Sequence, residues 1–208
     1  MELKQLTVEE LSRVTASKSS APGGGSISAM AGAFSAALAS MASKLTEGKA
    51  GYEAAWERVR QIDARAEALR LELLDDIQRD TSSFDAFMEA LTLPKGTGEE
   101  KALRAKAMQD ALKGACAVPM EVAGKAFEAM KLALETVRIA NVNVASDSMV
   151  GVLMGRAAVL GALSNVRINL DSIKDEAYVR KMSAACDEME EKVRTLEREG
   201  AAVLGKRI

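Results

Sequence analysis

From Tyr52 to Leu91 the chain contains neither proline nor glycine, and Val59, Ile62, Ala66, Leu69 and Leu73 recur along it at steps of three and four. That period specifies a long helix with one apolar face. The rest is equally poor in breakers, with only Pro22, Pro94 and Pro119 in 208 residues. Thr7 with Glu10 reads as a capping box opening a short helix through about Ala16, and Thr97 with Glu100 repeats the device before a longer one. Further helices are expected from about Ser26 to Leu45, up to about Ile139, and from about Asp147 to Asn165. In the last segment Met182, Cys186, Met189, Val193 and Leu196 share a face, which suits a bundle helix or a dimer seam. The alternations at Val142–Val144 and Val166–Ile168 are too short for strands. The prediction is an all-α, single-domain bundle of long antiparallel helices over residues 1–208, with no sheet and no repeat.

Composition removes whole classes of chemistry. Histidine is absent, which excludes Ser-His-Asp and Cys-His nucleophiles, histidine metal sites and imidazole acid/base catalysis. Any catalysis must use Asp, Glu, Lys, Tyr or Cys. The two cysteines, Cys116 and Cys186, match neither a disulfide framework nor a paired-cysteine metal site, so a reducing, cytoplasmic location is expected. With 28 basic against 30 acidic residues and 3% aromatics, there is no cationic track or stacking platform, and nucleic acid is not expected as a partner. Ile27–Ser43 carries no charge, but its Ala, Ser and Gly content suits a buried soluble helix better than a membrane span. Its small residues, Ala29, Gly32, Ala33, Ala36, Ala39 and Ser40, let neighbouring helices approach closely at a bundle centre or subunit interface.

Several polar segments could carry chemistry. Pro22, Gly23, Gly24, Gly25 and Ser26 deliver three consecutive glycines into a helix start, exposing N–H groups to an anion or polar heterocycle. The alternative is a tight connection in which Ser26 caps the helix. Asn141, Asn143, Ser146 and Asp147 supply donors and acceptors to read a heterocycle edge, though capping at a helix junction would explain the same residues. Asn165 and Asn169 share a face if their helix continues; they serve either a ligand or a bracing network. Lys49 with Tyr52, and Lys95, sit at irregular junctions. Asp76 and Asp80 share a face at i, i+4, but without a histidine partner they read as solvated carboxylates, and no metal site is expected.

These runs together resemble the cyclodeaminase/cyclohydrolase family of folate enzymes, which includes the carboxy-terminal half of formiminotransferase-cyclodeaminase. The matching stretches are Ala21–Ser26, Leu45–Lys49 with Tyr52, Leu93–Lys95 with Glu99–Lys101, Asn141–Asn143 with Ser146 and Asp147, and Asn165–Leu170 with Asp175. Ala140 departs from the family's usual glycine, and Ala50-Gly51 replaces a more basic pair. The resemblance implies a dimeric helical bundle acting on one-carbon tetrahydrofolates with no cofactor beyond that substrate. The reading placed first is formimidoyltetrahydrofolate cyclodeaminase, converting 5-formiminotetrahydrofolate to 5,10-methenyltetrahydrofolate and ammonia. A 5,10-methenyltetrahydrofolate cyclohydrolase yielding 10-formyltetrahydrofolate stands second, and a non-catalytic folate-binding homodimer third.

Under this resemblance Asp147 is expected as acid/base and partner of the methenyl cation, because it opens a helix beside Asn141 and Asn143. Asp80 is the second catalytic carboxylate. Lys95 either protonates departing ammonia, if desolvated, or holds the substrate's glutamate tail. The glycine loop, Lys49, Asn141, Asn143, Ser146, Asn165 and Asn169 are expected to bind substrate.

Overall fold

The computed structural model describes residues 2–19 and 21–208. After a 3-10 turn at Leu3–Gln5 come six helices: α1 (Val8–Thr15), α2 (Gly24–Lys44), α3 (Trp56–Thr92), α4 (Gly98–Ile139), α5 (Ala145–Leu170) and α6 (Glu176–Leu204). Short 3-10 turns at Glu53–Ala55 and Val142–Val144 lead into α3 and α5. Both capping boxes form: the Thr7 hydroxyl accepts from the Glu10 N–H and Thr97 from Glu100, with each glutamate returning the bond to the threonine N–H. No strand occurs among the described residues.

Helix α2 is the centre of the bundle, packed on α3, α4 and α5, with α6 outside against α5 and α4. Its small residues permit this. A Cβ on Gly32 would sit 3.2 Å from both Ala126 Cβ and Leu73 Cδ1, and Ser35 Oγ donates to Gly151 O of α5 at 2.7 Å. The predicted face of α3 lies in the interior, with Val59, Ile62, Ala66, Leu69 and Leu73 all at 0% exposure. On α6, Cys186 and Val193 are buried while Met182, Met189 and Leu196 pack against the same core, so within one chain this face is a bundle helix. By length and hydropathy α2 and Val142–Leu170 could cross a membrane, yet 67% and 50% of their apolar windows are buried inside the bundle.

One boundary differs from expectation for a local reason, and one helix accommodates an internal proline. Helix α2 starts at Gly24 with Gly23 as its N-cap and no side-chain cap, so Ser26 is not the cap but a buried residue inside the first turn. Helix α4 runs unbroken through the buried Pro119. A proline there has no N–H for the carbonyl four residues earlier, and Asn169 Nδ2 donates to that carbonyl, Ala115 O, at 2.9 Å.

The unequal helix lengths create the functional end. At 37 residues α3 is about 55 Å long, against about 31 Å for the 21 residues of α2. The last turns of α3 and the first of α4 therefore project past the start of α2, leaving a recess beneath them.

Candidate active site

A cavity of about 340 Å³ fills that recess. Its floor is the start of α2 (Gly23, Gly24, Gly25), and its walls come from Asp80 and Phe87 of α3, Ala115 of α4, and Asn165 and Asn169 of α5. Among the described residues Asp80 is the one carboxylate or cation lining it. Ser26 Oγ lies 3.0 Å from both Asp80 Oδ2 and Ile77 O, placing its proton between two acceptors. The glycines make room for the acid: a Cβ on Gly25 would lie 2.1 Å from Asp80 Oδ1, and one on Gly24 would lie 3.3 Å from Asn165 Nδ2.

Burial pushes the Asp80 carboxyl above its ordinary range, opposed by hydrogen bonds from the Ser26 hydroxyl and main-chain N–H. Desolvation raises a carboxyl's pKa because it penalises the charged form. A carboxylate whose pKa is raised in a concave site is better suited to taking a proton from water or nitrogen than an ordinary surface carboxylate. The two amides are oriented by the backbone: Asn165 Nδ2 donates to Gly161 O at 2.8 Å, and Asn169 Nδ2 to Ala115 O. Each NH₂ uses one of its two N–H donors in this way, so each amide can still offer an Oδ1 acceptor and a second N–H to a ligand.

A second cluster lies at the opposite end of the antiparallel α2/α5 pair. The Asn141 N–H donates to Thr46 Oγ1 at 2.9 Å, its Nδ2 approaches Leu45 O at 3.4 Å, and its Oδ1 accepts from the Asn143 N–H at 3.0 Å. Tyr52 OH accepts from the Val142 N–H at 2.9 Å. Lys49 belongs to the same loop, where Gly48 and Gly51 take φ of +74° and +86°. Such values favour glycine, which gives Gly51 a backbone reason. Asp147 is half-buried in the first turn of α5, with Ser146 and Asn143 exposed beside it.

Residues 7–188 match the formiminotransferase-cyclodeaminase family. The chain belongs to that family. It is 39% identical to methenyltetrahydrofolate cyclohydrolase of Methylorubrum extorquens over 84% of each chain. It is 32% identical to formimidoyltransferase-cyclodeaminase of Mus musculus, over 93% of this chain but 35% of the mouse protein. Its fold matches the crystal structure of formiminotetrahydrofolate cyclodeaminase from Thermotoga maritima with a TM-score of 0.87 at 28% identity, covering 99% of this chain and 98% of that one.

Within this chain the expected site residues divide into groups. Gly23, Gly24, Gly25, Asp80, Asn165 and Asn169 meet at one cavity, with Ser26 behind Asp80 and Pro22 buried at the loop's entry. Lys49, Asn141, Asn143, Ser146 and Asp147 gather at the other end. Asp147 precedes Asn165 by eighteen helical residues, about 27 Å along α5, so a single chain does not unite it with Asp80. The Asn141 amide contacts the junction itself, through Leu45 O and the Asn143 N–H. Lys95 is exposed and lines a separate groove, so the desolvation needed for proton delivery to ammonia is missing.

The solvated-face reading of Asp76 and Asp80 is corrected. Asp76 is 1% exposed and held by Arg79 at 2.6 Å and Lys125 at 2.7 Å, while Asp80 lines the cavity. Spacing alone does not reveal that two cations meet the first and a glycine loop meets the second. Phe87 and Ala115 of the cavity wall also escaped the sequence reading. Ala115 was accessible in principle, because Pro119 marks its carbonyl as needing another donor. Cys116 is no nucleophile candidate: it is fully buried and its thiol is pushed up to about 11 by that burial. Among the described residues no three Cys, Asp or Glu side chains gather as a metal site requires.

Proposed function

We propose that the chain is a 5,10-methenyltetrahydrofolate cyclohydrolase. The observation that carries this reading is Asp80, a desolvated carboxylate and, among the described residues, the lone ionisable group of a cavity otherwise lined by backbone, amide, hydroxyl and apolar groups. Hydrolysis of a methenyl bridge needs one such group. The ionised Asp80 stabilises the cationic N5–C–N10 unit and accepts a proton as water oxygen bonds to the bridging carbon. It then returns that proton to N5 as the C–N5 bond breaks, while the remaining hydroxyl proton passes to solvent as the C=O forms, leaving the formyl group on N10 with one proton released overall. Substrate and water suffice for the balance. The 39% identity to a cyclohydrolase of similar length supports the same choice.

The cyclodeaminase is the second reading, favoured by the fold likeness to the Thermotoga maritima protein. There N10 attacks the formimino carbon and ammonia leaves, so one proton must leave N10 and another must reach the departing nitrogen. Enzyme-dependent decay of the methenyl chromophore, abolished in Asp80→Asn, supports the hydrolytic assignment. Gain of that chromophore from 5-formiminotetrahydrofolate with ammonia release, and no accelerated decay, reverses it.

The reading extends to a homodimer through the outer face of α2 and α5. Phe34, Val150 and Leu153 flank the Ser35–Gly151 contact and are 46%, 49% and 44% exposed, and α2 carries no charge before Lys44. A two-fold axis across the middle of an antiparallel pair superposes opposite ends. It would carry the Lys49, Asn143 and Asp147 cluster of one subunit toward the Asp80 cavity of the other, giving Asp147 its expected role in trans.

A further inference from the structure

Ser26 is fully buried, and its hydroxyl sits between two acceptors on the neighbouring helix α3. Oγ lies 3.0 Å from Ile77 O, 3.0 Å from Asp80 Oδ2 and 3.5 Å from Thr81 Oγ1. A serine hydroxyl carries one proton, so it donates to only one of the first two at a time. The two acceptors are not equivalent. Ile77 O is a carbonyl inside α3 and has the Thr81 N–H four residues on, so it keeps a partner when the hydroxyl turns away. Asp80 has no such reserve. Its burial is opposed by Ser26, through the hydroxyl and the main-chain N–H, and among the described residues no cation lines the cavity.

The charges on the surrounding elements are committed elsewhere. Helix α2 has no ionisable group from Gly24 to Ser43. On α3, Asp76 lies one turn back and is held by Arg79 and by Lys125 of α4, while Arg79 also pairs with Glu121 and Asp75 with Lys4. On α4, Lys113 pairs with Asp175, and on α5, Arg167 pairs with Asp187 and Glu190 of α6. The Ser26 proton is therefore the mobile partner of the carboxylate. Donation to an ionised acid is charge-assisted and about twice as strong as a neutral hydrogen bond. Once the acid holds a proton that advantage is gone, and rotation about Cβ–Oγ returns the hydroxyl proton to Ile77 O.

We propose that Ser26 is a positioning residue for the Asp80 base, a hydroxyl rotor that donates to the carboxylate while it is ionised, turns to Ile77 O when it takes up a proton, and so extends the pH range of turnover toward acid. This role rests on the hydrolytic reading of Asp80 above. A hydrogen bond to the charged form favours ionisation, and hydrolysis needs the ionised acid. Removing the hydroxyl leaves burial opposed by the main-chain N–H alone, so the acid limb of the rate moves up in pH. Above that limb the acid is ionised with or without the hydroxyl, and the loss disappears. A serine that only filled space would instead cost turnover at every pH.

Two measurements on the full chain test the rotor. In protein isotope-labelled at the aspartate carboxyl carbons, the Asp80 magnetic resonance signal is the one missing from Asp80→Asn, and its titration midpoint should be higher in Ser26→Ala than in the wild type. In the methenyl-decay assay, with the enzyme-free rate subtracted, kcat of Ser26→Ala should be about tenfold lower on the acid limb, the scale of one hydrogen bond to a charged group. On the plateau kcat should lie within about twofold of the wild type, with KM unchanged throughout. Ser26→Cys keeps the volume with a weaker donor. It should move both readouts in the same direction by less, and it replaces the alanine variant if circular dichroism shows that variant unfolded. An unmoved carboxyl midpoint overturns the proposal, as does a loss of turnover that is equal at all pH values. Failure of the hydrolytic reading looks different: the wild type then has no methenyl turnover while the Asp80 midpoint still rises in Ser26→Ala, which retains the rotor but overturns its role in hydrolysis.

Discussion

Gly25 and Asp80 interlock across two helices: the carboxylate occupies the space a side chain on Gly25 would need, with Asp80 Oδ1 2.1 Å from the position of a Cβ. The acid is thereby set over the N-terminal turn of α2, where its partner is Ser26. Gly25→Ala should displace the carboxylate while leaving the helix intact, since an alanine suits a first turn. Steady-state kinetics should show at least about a hundredfold lower turnover, the scale of losing a positioned base. Thermal melting should show a loss of no more than about 2 kcal/mol. Full turnover would remove Asp80 from the mechanism.

Asp80→Asn separates function from stability. The native carboxyl titrates above its ordinary range because it is buried, so between the unfolded and folded pKa values the native state holds more protons than the unfolded one. Stability therefore falls as pH rises through that window, and at neutral pH the ionised acid is a net cost. The amide keeps an acceptor for Ser26 without that cost. Its melting temperature at pH 7 should exceed that of the wild type, while turnover falls about 10² to 10⁴-fold. The wild-type rate should decline with acid through a limb above the usual carboxylate range, and the residual rate of the variant should lack that limb.

The contact between Asn169 and the carbonyl freed by Pro119 predicts a coupled pair. Asn169→Ala leaves Ala115 O without its donor and should destabilise by about 1–3 kcal/mol. In a Pro119→Ala background the new N–H can serve that carbonyl, so the same change should cost less. Denaturant unfolding of the four proteins measures the coupling. Strict additivity would mean Asn169 is retained for the ligand alone.

The shared-site homodimer predicts complementation. Asp80→Asn and Asp147→Asn proteins, each inactive, should recover activity after co-refolding. Random pairing gives half heterodimers, each with one intact site, so recovery should approach roughly a quarter of the wild-type rate. No recovery from correctly folded mixed dimers confines the site to one subunit.

What the sequence determined by itself was everything set by local period and capping. The breaker-free run after Tyr52, the Thr7 and Thr97 boxes and the small-residue stripe of α2 specify helices and buried faces through interactions a few residues apart. The ordered polar segments likewise specified the family, because they persist together along one chain. What only the tertiary structure decided were the relations between distant segments. Asp76 and Asp80 share a face of α3 and look alike in sequence, yet one meets Lys125 from α4 and the other the glycines of α2. Asp147 has the better local setting for a carboxylate, but α5 is continuous between the two and carries it about 27 Å from Asn165. Helices are fixed by neighbours in sequence. A site is fixed by which helix ends the packing brings together, and one-dimensional periodicity carries no record of that.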